Sequence, residues 1–214
     1  HAAPPCKSSV NRGHAMDIGL FGGSFNPPHI AHLIVAEIAR DQFGLDEMWW
    51  IPNATPPHKS SGDLAAVEHR LSMTRRAVSN NPAFRVCEIE VQRDGVSYTV
   101  ETVRTLQEEH SDVDFGLLVG SDSLDHFASW HQPDEIAERV PLVVYKRPGV
   151  IEEVPEPRFA NRVHFVSAPV MEVSGTEIRA RRRAGRSIRH LVPEPVRAYI
   201  HDNGLYRDDQ ANGP

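Results

Sequence analysis

Short apolar runs alternate along the chain with longer segments in which apolar residues recur every three or four positions. The short runs predict buried strands, and the longer segments predict amphipathic helices. Strands are expected at residues 17–22, 47–52, 84–91, 114–120, 141–146 and 162–168. Helices are expected at residues 28–43, 67–80 and 99–109, with shorter ones after Asp122, Asp134, Thr176 and Pro193.

This alternation of strands and helices is typical of a parallel sheet whose crossover helices cover its faces. The sequence therefore predicts an α/β fold: a doubly wound, Rossmann-like parallel sheet of about six strands with helices on both faces. Ligands of such sheets bind at the carboxyl ends of the strands. Residues that follow each predicted strand are therefore the candidates for a functional site.

Composition narrows the class of protein. The chain has 214 residues, of which 40% are hydrophobic, and a mean hydropathy of -0.41. We predict one domain over residues 16–206, a disordered leader or tag remnant over residues 1–15, and a flexible tail over residues 207–214.

The net charge of -6 disfavours nucleic acid as a partner. No apolar run approaches the roughly 20 residues of a membrane helix, and two cysteines without framework spacing indicate a cytoplasmic protein.

The first predicted strand leads directly into Gly22, Gly23 and the start of a helix. Two glycines let the backbone approach a ligand closely, and a helix N-terminus presents N–H groups and a positive dipole end to an anion. His29 and His32 lie one helical turn apart, so both can face that anion. The segment is therefore predicted to hold a polyphosphate.

Two structural alternatives remain for this segment. Paired glycines before a helix are common, and a histidine pair of this spacing also occurs in zinc sites or as core and capping residues. A zinc site needs a third ligand. Cys6 in the expected leader and Cys87 in the third predicted strand are poorly placed to supply it.

A second helix start, Ser174-Gly175-Thr176, follows the sixth predicted strand. Either hydroxyl is a natural N-cap, so capping alone explains that part of the pattern. Arg179 lies one turn further on, where its guanidinium fork suits an anion held by the same helix start.

Other candidates are more isolated. Lys59 ends the rigid segment Pro56-Pro57-His58-Lys59 and is a candidate phosphate contact. Trp130 lies outside the predicted strands, where its face could stack on a heterocycle. Ser97-Tyr98-Thr99 opens the third helix, and either its hydroxyls cap the helix or its amides bind a carboxylate. The chain lacks a P-loop, the third glycine of a dinucleotide fingerprint and a G-x-S-x-G elbow.

Two of these segments resemble the signatures of the nucleotidyltransferase superfamily. Residues 23–32 match G-[ST]-F-x-P-x-H-x-x-H, and residues 173–179 match [IV]-S-x-T-x-[IV]-R. Ala31 departs from the usual glycine between the histidines, and its methyl should fit a helix. The order and spacing of further motifs resemble the bacterial nicotinate-nucleotide adenylyltransferases over nearly all of residues 16–206: Ile51-Pro52-Asn53, Ser97-Tyr98-Thr99, Gly120-Ser121-Asp122-Ser123-Leu124, Trp130, Arg147-Pro148-Gly149 and Leu191-Val192-Pro193.

The resemblance implies direct, in-line transfer of AMP from ATP to nicotinate mononucleotide, giving nicotinate adenine dinucleotide (deamido-NAD) and pyrophosphate in NAD biosynthesis. It implies that His29, His32 and Arg179 are catalytic and also bind ATP. The further ATP-binding residues implied are Gly22, Gly23, Ser24, Phe25, Gly120, Asp122, Ser174 and Thr176. Those implied for nicotinate mononucleotide are Asn53, Lys59, Ser97, Tyr98, Thr99, Trp130 and Arg147.

Mg²⁺ is implied as an ion carried by the ATP phosphates, without a metal site on the protein. The expected partners are the two small-molecule substrates, with neither nucleic acid nor membrane, and a homodimer is left open. Three alternatives stand beside this interpretation. They are a related adenylyltransferase acting on nicotinamide mononucleotide or phosphopantetheine, a nucleotide sensor without turnover, and a zinc hydrolase.

Overall fold

A parallel sheet of six strands forms the centre of the computed structural model, which describes residues 16–54, 64–93, 95–146 and 154–207. The strands are β1 (Ile18–Gly23), β2 (Glu47–Pro52), β3 (Phe84–Val86), β4 (Phe115–Gly120), β5 (Leu142–Tyr145) and β6 (Val163–Val166). Every neighbouring pair is parallel, in the order β3-β2-β1-β4-β5-β6. This is the doubly wound order, and it confirms the predicted fold class.

Helices join the strands close to the predicted positions. In the described ranges they are α1 (Ile30–Phe43), α2 (Val67–Val78), α3 (Thr99–Glu109), α4 (Ser121–Leu124), α5 (Pro133–Arg139), α6 (Gly175–Arg183) and α7 (Glu194–Asp202). Helix α1 ends at Gly44, whose φ of 65° is the left-handed conformation that glycine adopts without a steric penalty.

Alternate residues of β1 face opposite sides of the sheet, as strand geometry requires. Leu20 lies in an apolar layer with Val103 of α3 and Ile136 of α5. Phe21 lies in the other layer with Val35 of α1. The second layer also contains buried residues of α2, α6 and α7. Helices therefore cover both faces, and each face buries its own core.

The strand order reverses between β1 and β4. From β1 the chain proceeds outward through β2 and β3, and from β4 it proceeds to the other edge through β5 and β6. The segments that leave β1 and β4 therefore turn to opposite faces and leave a crevice at the carboxyl ends of these two strands.

The third strand is shorter than predicted. The prediction extended it to residue 91, but β3 ends at Val86 and the chain then turns. The carbonyl of Glu88 accepts N–H hydrogen bonds from Val91 at 2.9 Å and from Gln92 at 3.0 Å. Ile89 packs against the core from this turn, and Cys87, whose N–H donates to the Trp50 oxygen at 2.8 Å, packs against the core just before it. The apolar residues here therefore predicted burial correctly, but the segment is not a strand.

Residues 1–15 and 208–214 lie outside the described residues, and so do the predicted leader and all but the first residue of the predicted tail. The single domain over residues 16–206 stays a prediction. In the ranges given above, every helix is too short or too polar to cross a bilayer.

We expect the Gly19→Ala substitution to destabilise the fold. A Cβ built at Gly19 overlaps the sulfur of the fully buried Met48 and lies 3.0 Å from Leu45 Cδ1. Overpacking of this kind costs about 1–3 kcal/mol. Urea unfolding measures the loss, and Gly22→Ala on the same strand is the control because nothing lies within 4 Å of a Cβ there. Equal unfolding free energies for the two variants would contradict the prediction.

Candidate active site

One cavity of about 1050 Å³ opens at the carboxyl ends of β1 and β4. Its lining brings together segments that are far apart in sequence. All the predicted site residues that the structure describes line it: Gly22, Gly23, Ser24, Phe25, His29, His32, Asn53, Ser97, Tyr98, Thr99, Gly120, Asp122, Trp130, Ser174, Thr176 and Arg179. Lys59 and Arg147 lie outside the described residues.

The two histidines form a stacked pair at the N-terminus of α1. Their ring centroids are 3.6 Å apart and their planes differ by 18°. The main-chain N–H of His29 donates to Nδ1 of His32 at 3.2 Å. Because Nδ1 accepts this bond, a neutral His32 ring carries its proton on Nε2. His32 therefore keeps a donor at the ring atom that is not used by the helix start.

Aromatic side chains hold the His32 ring from the core side. Its centroid lies 5.3 Å from that of Phe25, 5.7 Å from Phe21 and 6.4 Å from Trp50, all edge to face. Phe25 is buried, and its φ of 43° is unusual for a residue other than glycine. The Phe25 side chain is therefore part of the core, which leaves its main chain as the part able to meet a ligand.

Arg179 reaches the same end of the cavity from α6. Its side chain is only 9% exposed, and Nη1 donates to the main-chain oxygen of Asn26 at 2.9 Å. Nη2 donates to Thr176 Oγ1 at 3.4 Å. A Cβ on Gly175 would lie 2.9 Å from the same Asn26 oxygen, so a glycine is needed for α6 to approach this closely.

Ser174 is the N-cap of α6, as predicted, because its Oγ accepts the N–H of Glu177 at 3.2 Å. The N-termini of α1 and α6 thus both lie at one end of the cavity. Helix N-termini carry positive partial charge. Together with Arg179 they make this end suitable for an anion.

Asn26 connects this end of the cavity to two other segments. Its Oδ1 accepts the N–H of Ala65 at 3.1 Å and the hydroxyl of Tyr206 at 2.7 Å. Burial raises the pKa of the Tyr206 hydroxyl well above its ordinary value, so the phenol stays protonated and donates. Asn26 therefore accepts hydrogen bonds from Arg179, the segment before α2 and the residues after α7.

The cavity is lined from the other face of the sheet by α3 and the segment after α4. Tyr98 is the N-cap residue of α3, and its side chain forms no capping hydrogen bond. The Tyr98 ring lies 4.4 Å from that of His131, and the half-buried Trp130 ring lies 5.3 Å from that of Phe127. An aromatic surface and the N-terminus of α3 therefore lie along one wall.

The sequence of this chain is similar to a family model and to several named proteins. A family model described as Cytidylyltransferase-like matches residues 20–181. A probable nicotinate-nucleotide adenylyltransferase of Salinibacter ruber is 73% identical over 192 residues, which cover 90% of this chain and 98% of that protein. The chain belongs to the nicotinate-nucleotide adenylyltransferase family. The nicotinate-nucleotide adenylyltransferase of Bacillus subtilis is 37% identical over 88% of this chain and 97% of its own length.

Solved structures share the fold of this family member at low sequence identity. Plasmodium falciparum nicotinic acid mononucleotide adenylyltransferase complexed with NaAD matches with a TM-score of 0.76 and 19% identity, covering 89% of this chain and 97% of that one. The same enzyme complexed with APC matches with a TM-score of 0.72 and 18% identity, covering 88% and 96%. At these sequence identities, the similarity shows a shared fold.

Glu90 lines the cavity and was not predicted from the sequence. It is 7% exposed, and one carboxylate oxygen accepts the hydroxyl of Thr102 at 2.9 Å. Burial raises the pKa of the Glu90 carboxyl above its ordinary value of 4.5, against the smaller lowering effects of Thr102 and Arg93. No sequence signal distinguished it, because it lies where a strand was predicted and its partner comes from another element.

Across residues 16–54, 64–93, 95–146 and 154–207, no group of three or more His, Cys, Asp or Glu side chains is placed to hold a metal ion. Of the two cysteines judged poorly placed for zinc, Cys6 lies outside the described residues, and Cys87 is half-buried, which raises the pKa of its thiol.

We expect Glu90→Gln to change how stability depends on pH. A carboxyl whose pKa is raised by folding contributes favourably below pH 4.5, and this contribution is lost as the pH rises through the folded-state pKa. Glutamine does not titrate and can still accept from Thr102. The unfolding free energy of the variant should therefore rise relative to wild type between pH 4.5 and pH 8.

Urea unfolding at several pH values measures this difference. Glu108→Gln, which removes an exposed carboxylate from the same region, controls for the change in net charge. A difference between Glu90→Gln and wild type that stays constant with pH would contradict the prediction.

Proposed function

We propose that this chain transfers AMP from ATP to nicotinate mononucleotide, forming nicotinate adenine dinucleotide and pyrophosphate in NAD biosynthesis. One observation carries the proposal. A single cavity brings together the His29–His32 pair and Arg179, on helices of one face of the sheet, and Trp130 with the N-terminus of α3, on the other face. A dinucleotide is formed from two parts, and this cavity offers a polyphosphate-binding region joined to a region suited to a ring with a carboxylate.

The reaction is an in-line displacement at phosphorus. An oxygen of the mononucleotide 5'-phosphate forms a bond to the α-phosphorus of ATP, and the bond from that phosphorus to the bridging oxygen of pyrophosphate breaks. The electron pair of the broken bond leaves with pyrophosphate. The protein therefore has to align the two phosphates and stabilise the charge that develops on the leaving group.

The leaving group is stabilised by His29, His32 and Arg179. The Nε2–H of His32 donates to a phosphate oxygen, since its Nδ1 is engaged by the His29 main chain. The Arg179 guanidinium, held by Asn26, adds a fixed positive charge. Because both groups are oriented by the fold, little reorganisation is needed when charge develops.

ATP is bound mainly through main-chain groups. Gly22, Gly23, Ser24 and Phe25 bring the backbone against the triphosphate, and Ser174 and Thr176 supply donors from the start of α6. Gly120 and Asp122 border the adenosine. A Cβ at position 120 would overlap Asp122 Oδ1, so glycine there lets the carboxylate lie across the end of β4.

The metal ion is Mg²⁺, carried by the phosphates of ATP and by water. The donor set favours this arrangement, because in the described part of the chain no cluster of carboxylates or histidines suits a metal. Mg²⁺ accepts phosphate and water oxygens and seldom requires a protein cage. Mg²⁺ would neutralise charge on the triphosphate, and the residues named above would bind the triphosphate that carries the ion.

The mononucleotide occupies the other region of the cavity. The amides of residues 97–99 bind the nicotinate carboxylate at the N-terminus of α3, and Trp130 stacks on the pyridine ring. Asn53 binds the ribose or phosphate, and its buried Oδ1, which accepts no hydrogen bond from the described residues, is suited to a ribose hydroxyl. Lys59 and Arg147 are proposed for the same phosphate or ribose. The cytoplasmic location and the homodimer stay predictions.

Pyrophosphate release tests the reaction. With ATP, Mg²⁺ and nicotinate mononucleotide we expect turnover, and much slower turnover with nicotinamide mononucleotide, because the amide leaves carboxylate-binding amides unpaired. His32→Ala should lower kcat by roughly a hundredfold or more, as loss of a transition-state donor does. His201→Ala, at an exposed position on α7, should match wild type.

The other outcomes identify the alternatives. Equal use of both mononucleotides would indicate the amide-using relative. ATP binding without pyrophosphate release would favour a nucleotide sensor. Pyrophosphate release with phosphopantetheine, and with neither mononucleotide, would indicate an adenylyltransferase that acts on phosphopantetheine.

We expect Gly22→Ala to weaken ATP binding at unchanged stability. A Cβ at this position enters open space within the cavity lining, so it meets a ligand and no protein atom. The KM for ATP should rise roughly tenfold, equivalent to about 1.4 kcal/mol. Steady-state kinetics and urea unfolding of the same preparation measure both quantities. An unchanged KM would exclude close approach of the triphosphate to β1.

A further inference from the structure

Arg70 of α2 is buried at 1% exposure and donates to four main-chain carbonyls. Nε donates to Ala65 at 3.0 Å, and Nη2 to Ala54 at 2.8 Å. Nη1 donates both to Ser24 at 3.0 Å and to Asn53 at 2.7 Å. One nitrogen atom therefore joins the loop after β1 to the loop after β2.

Both joined loops line the cavity, whereas Arg70 does not. Its guanidinium thus supports them from the side away from the ligand. In a trans peptide the C=O and the following N–H point in opposite directions. Holding the Ser24 and Asn53 carbonyls toward Arg70 therefore turns the N–H groups of Phe25 and Ala54 away from it. The bonds of Arg70 therefore set the direction of the Phe25 N–H, which belongs to the cavity lining, and of the Ala54 N–H next to Asn53.

A buried guanidinium is costly unless its donors are satisfied. Burial lowers the pKa of Arg70 from its ordinary value of 12.5, but a guanidinium keeps its charge at neutral pH. Over the residues that the structure describes, Arg70 forms no ion pair with a carboxylate. An apolar side chain at this position would avoid the desolvation cost, so stability alone gives a weak reason for arginine.

We propose that Arg70 is a positioning residue that aligns the two substrate-binding loops with each other. It holds Ser24, proposed to contact ATP, and Asn53, proposed to contact the mononucleotide, in one fixed arrangement. The inference rests on the proposed function for its kinetic readout. Arg70 touches neither substrate and acts only through the main chain of the two loops.

Arg70→Lys is the first test. Lysine keeps the charge but presents three donors from one point and cannot span four carbonyls in a plane. Misalignment of about 1 Å can lower a rate by about a hundredfold. We expect the KM values for ATP and for nicotinate mononucleotide to rise together, and kcat/KM for each to fall roughly tenfold to a hundredfold. In Arg70→Gln, whose side chain has fewer donors and no charge, kcat/KM for each substrate should fall further.

The matched control is Ala77→Gly, one of the buried positions of the same helix, which weakens α2 without touching either loop. Urea unfolding shows how far each variant is destabilised. We expect Ala77→Gly to keep both KM values within about twofold of wild type even where its stability matches that of Arg70→Lys. Similar kinetic losses in both variants would assign Arg70 to stability and overturn the proposal.

Hydrogen exchange without substrates provides a readout independent of activity. We expect faster exchange over residues 22–26 and 53–54 in Arg70→Lys, and wild-type exchange there in Ala77→Gly. If wild type releases no pyrophosphate, the proposed function fails while the exchange data still test the role of Arg70. Unchanged exchange and unchanged KM values in Arg70→Lys, or loss of a cooperative unfolding transition in both Arg70 variants, would overturn the proposal.

Discussion

Parallel pairing of β1 with β2 on one side and β4 on the other is the constraint on which the site depends. Parallel strands end at the same edge of a sheet, so whatever follows them is gathered there. The reversal of strand order at β1 and β4 sends the following segments to opposite faces and leaves space between them. The histidine pair and the start of α4 reach one cavity for this reason, although they lie far apart in the sequence.

Helix N-termini line the cavity in two places, and different side chains surround them in each. The N-termini of α1 and α6 meet near Arg179, where a highly charged group would be held by main-chain donors and a guanidinium. The N-terminus of α3 lies beside Trp130, where a single carboxylate on a flat ring would be held. In both places the backbone supplies much of the polar surface, and the side chains around it determine shape and orientation.

Most of the fold could be predicted from apolar patterning, because buried strands and amphipathic helices differ in period and length. The failure at β3 has a physical cause: Ile89 is apolar because it packs against the core, yet it does so from a turn. The His29–His32 pair and Arg179 could be proposed as candidates because they lie at, or one turn after, predicted helix starts, and the structure brings them to one cavity. Arg70 and Glu90 were missed because a lone charged residue carries no periodic signal. The carbonyls that Arg70 contacts at Ser24 and Asn53 lie 46 and 17 residues away in the chain, so only the folded structure brings them together.

The hydrogen bond between Tyr206 and Asn26 joins residues 180 positions apart. During synthesis on a ribosome, Asn26 emerges long before Tyr206, so the loop after β1 lacks this partner while most of the chain is being made. Closing so long a separation is slow relative to forming local helices. The loop after β1 is therefore translated well before its partner, and its hydrogen bond to Tyr206 forms only once the segment after α7 has been made.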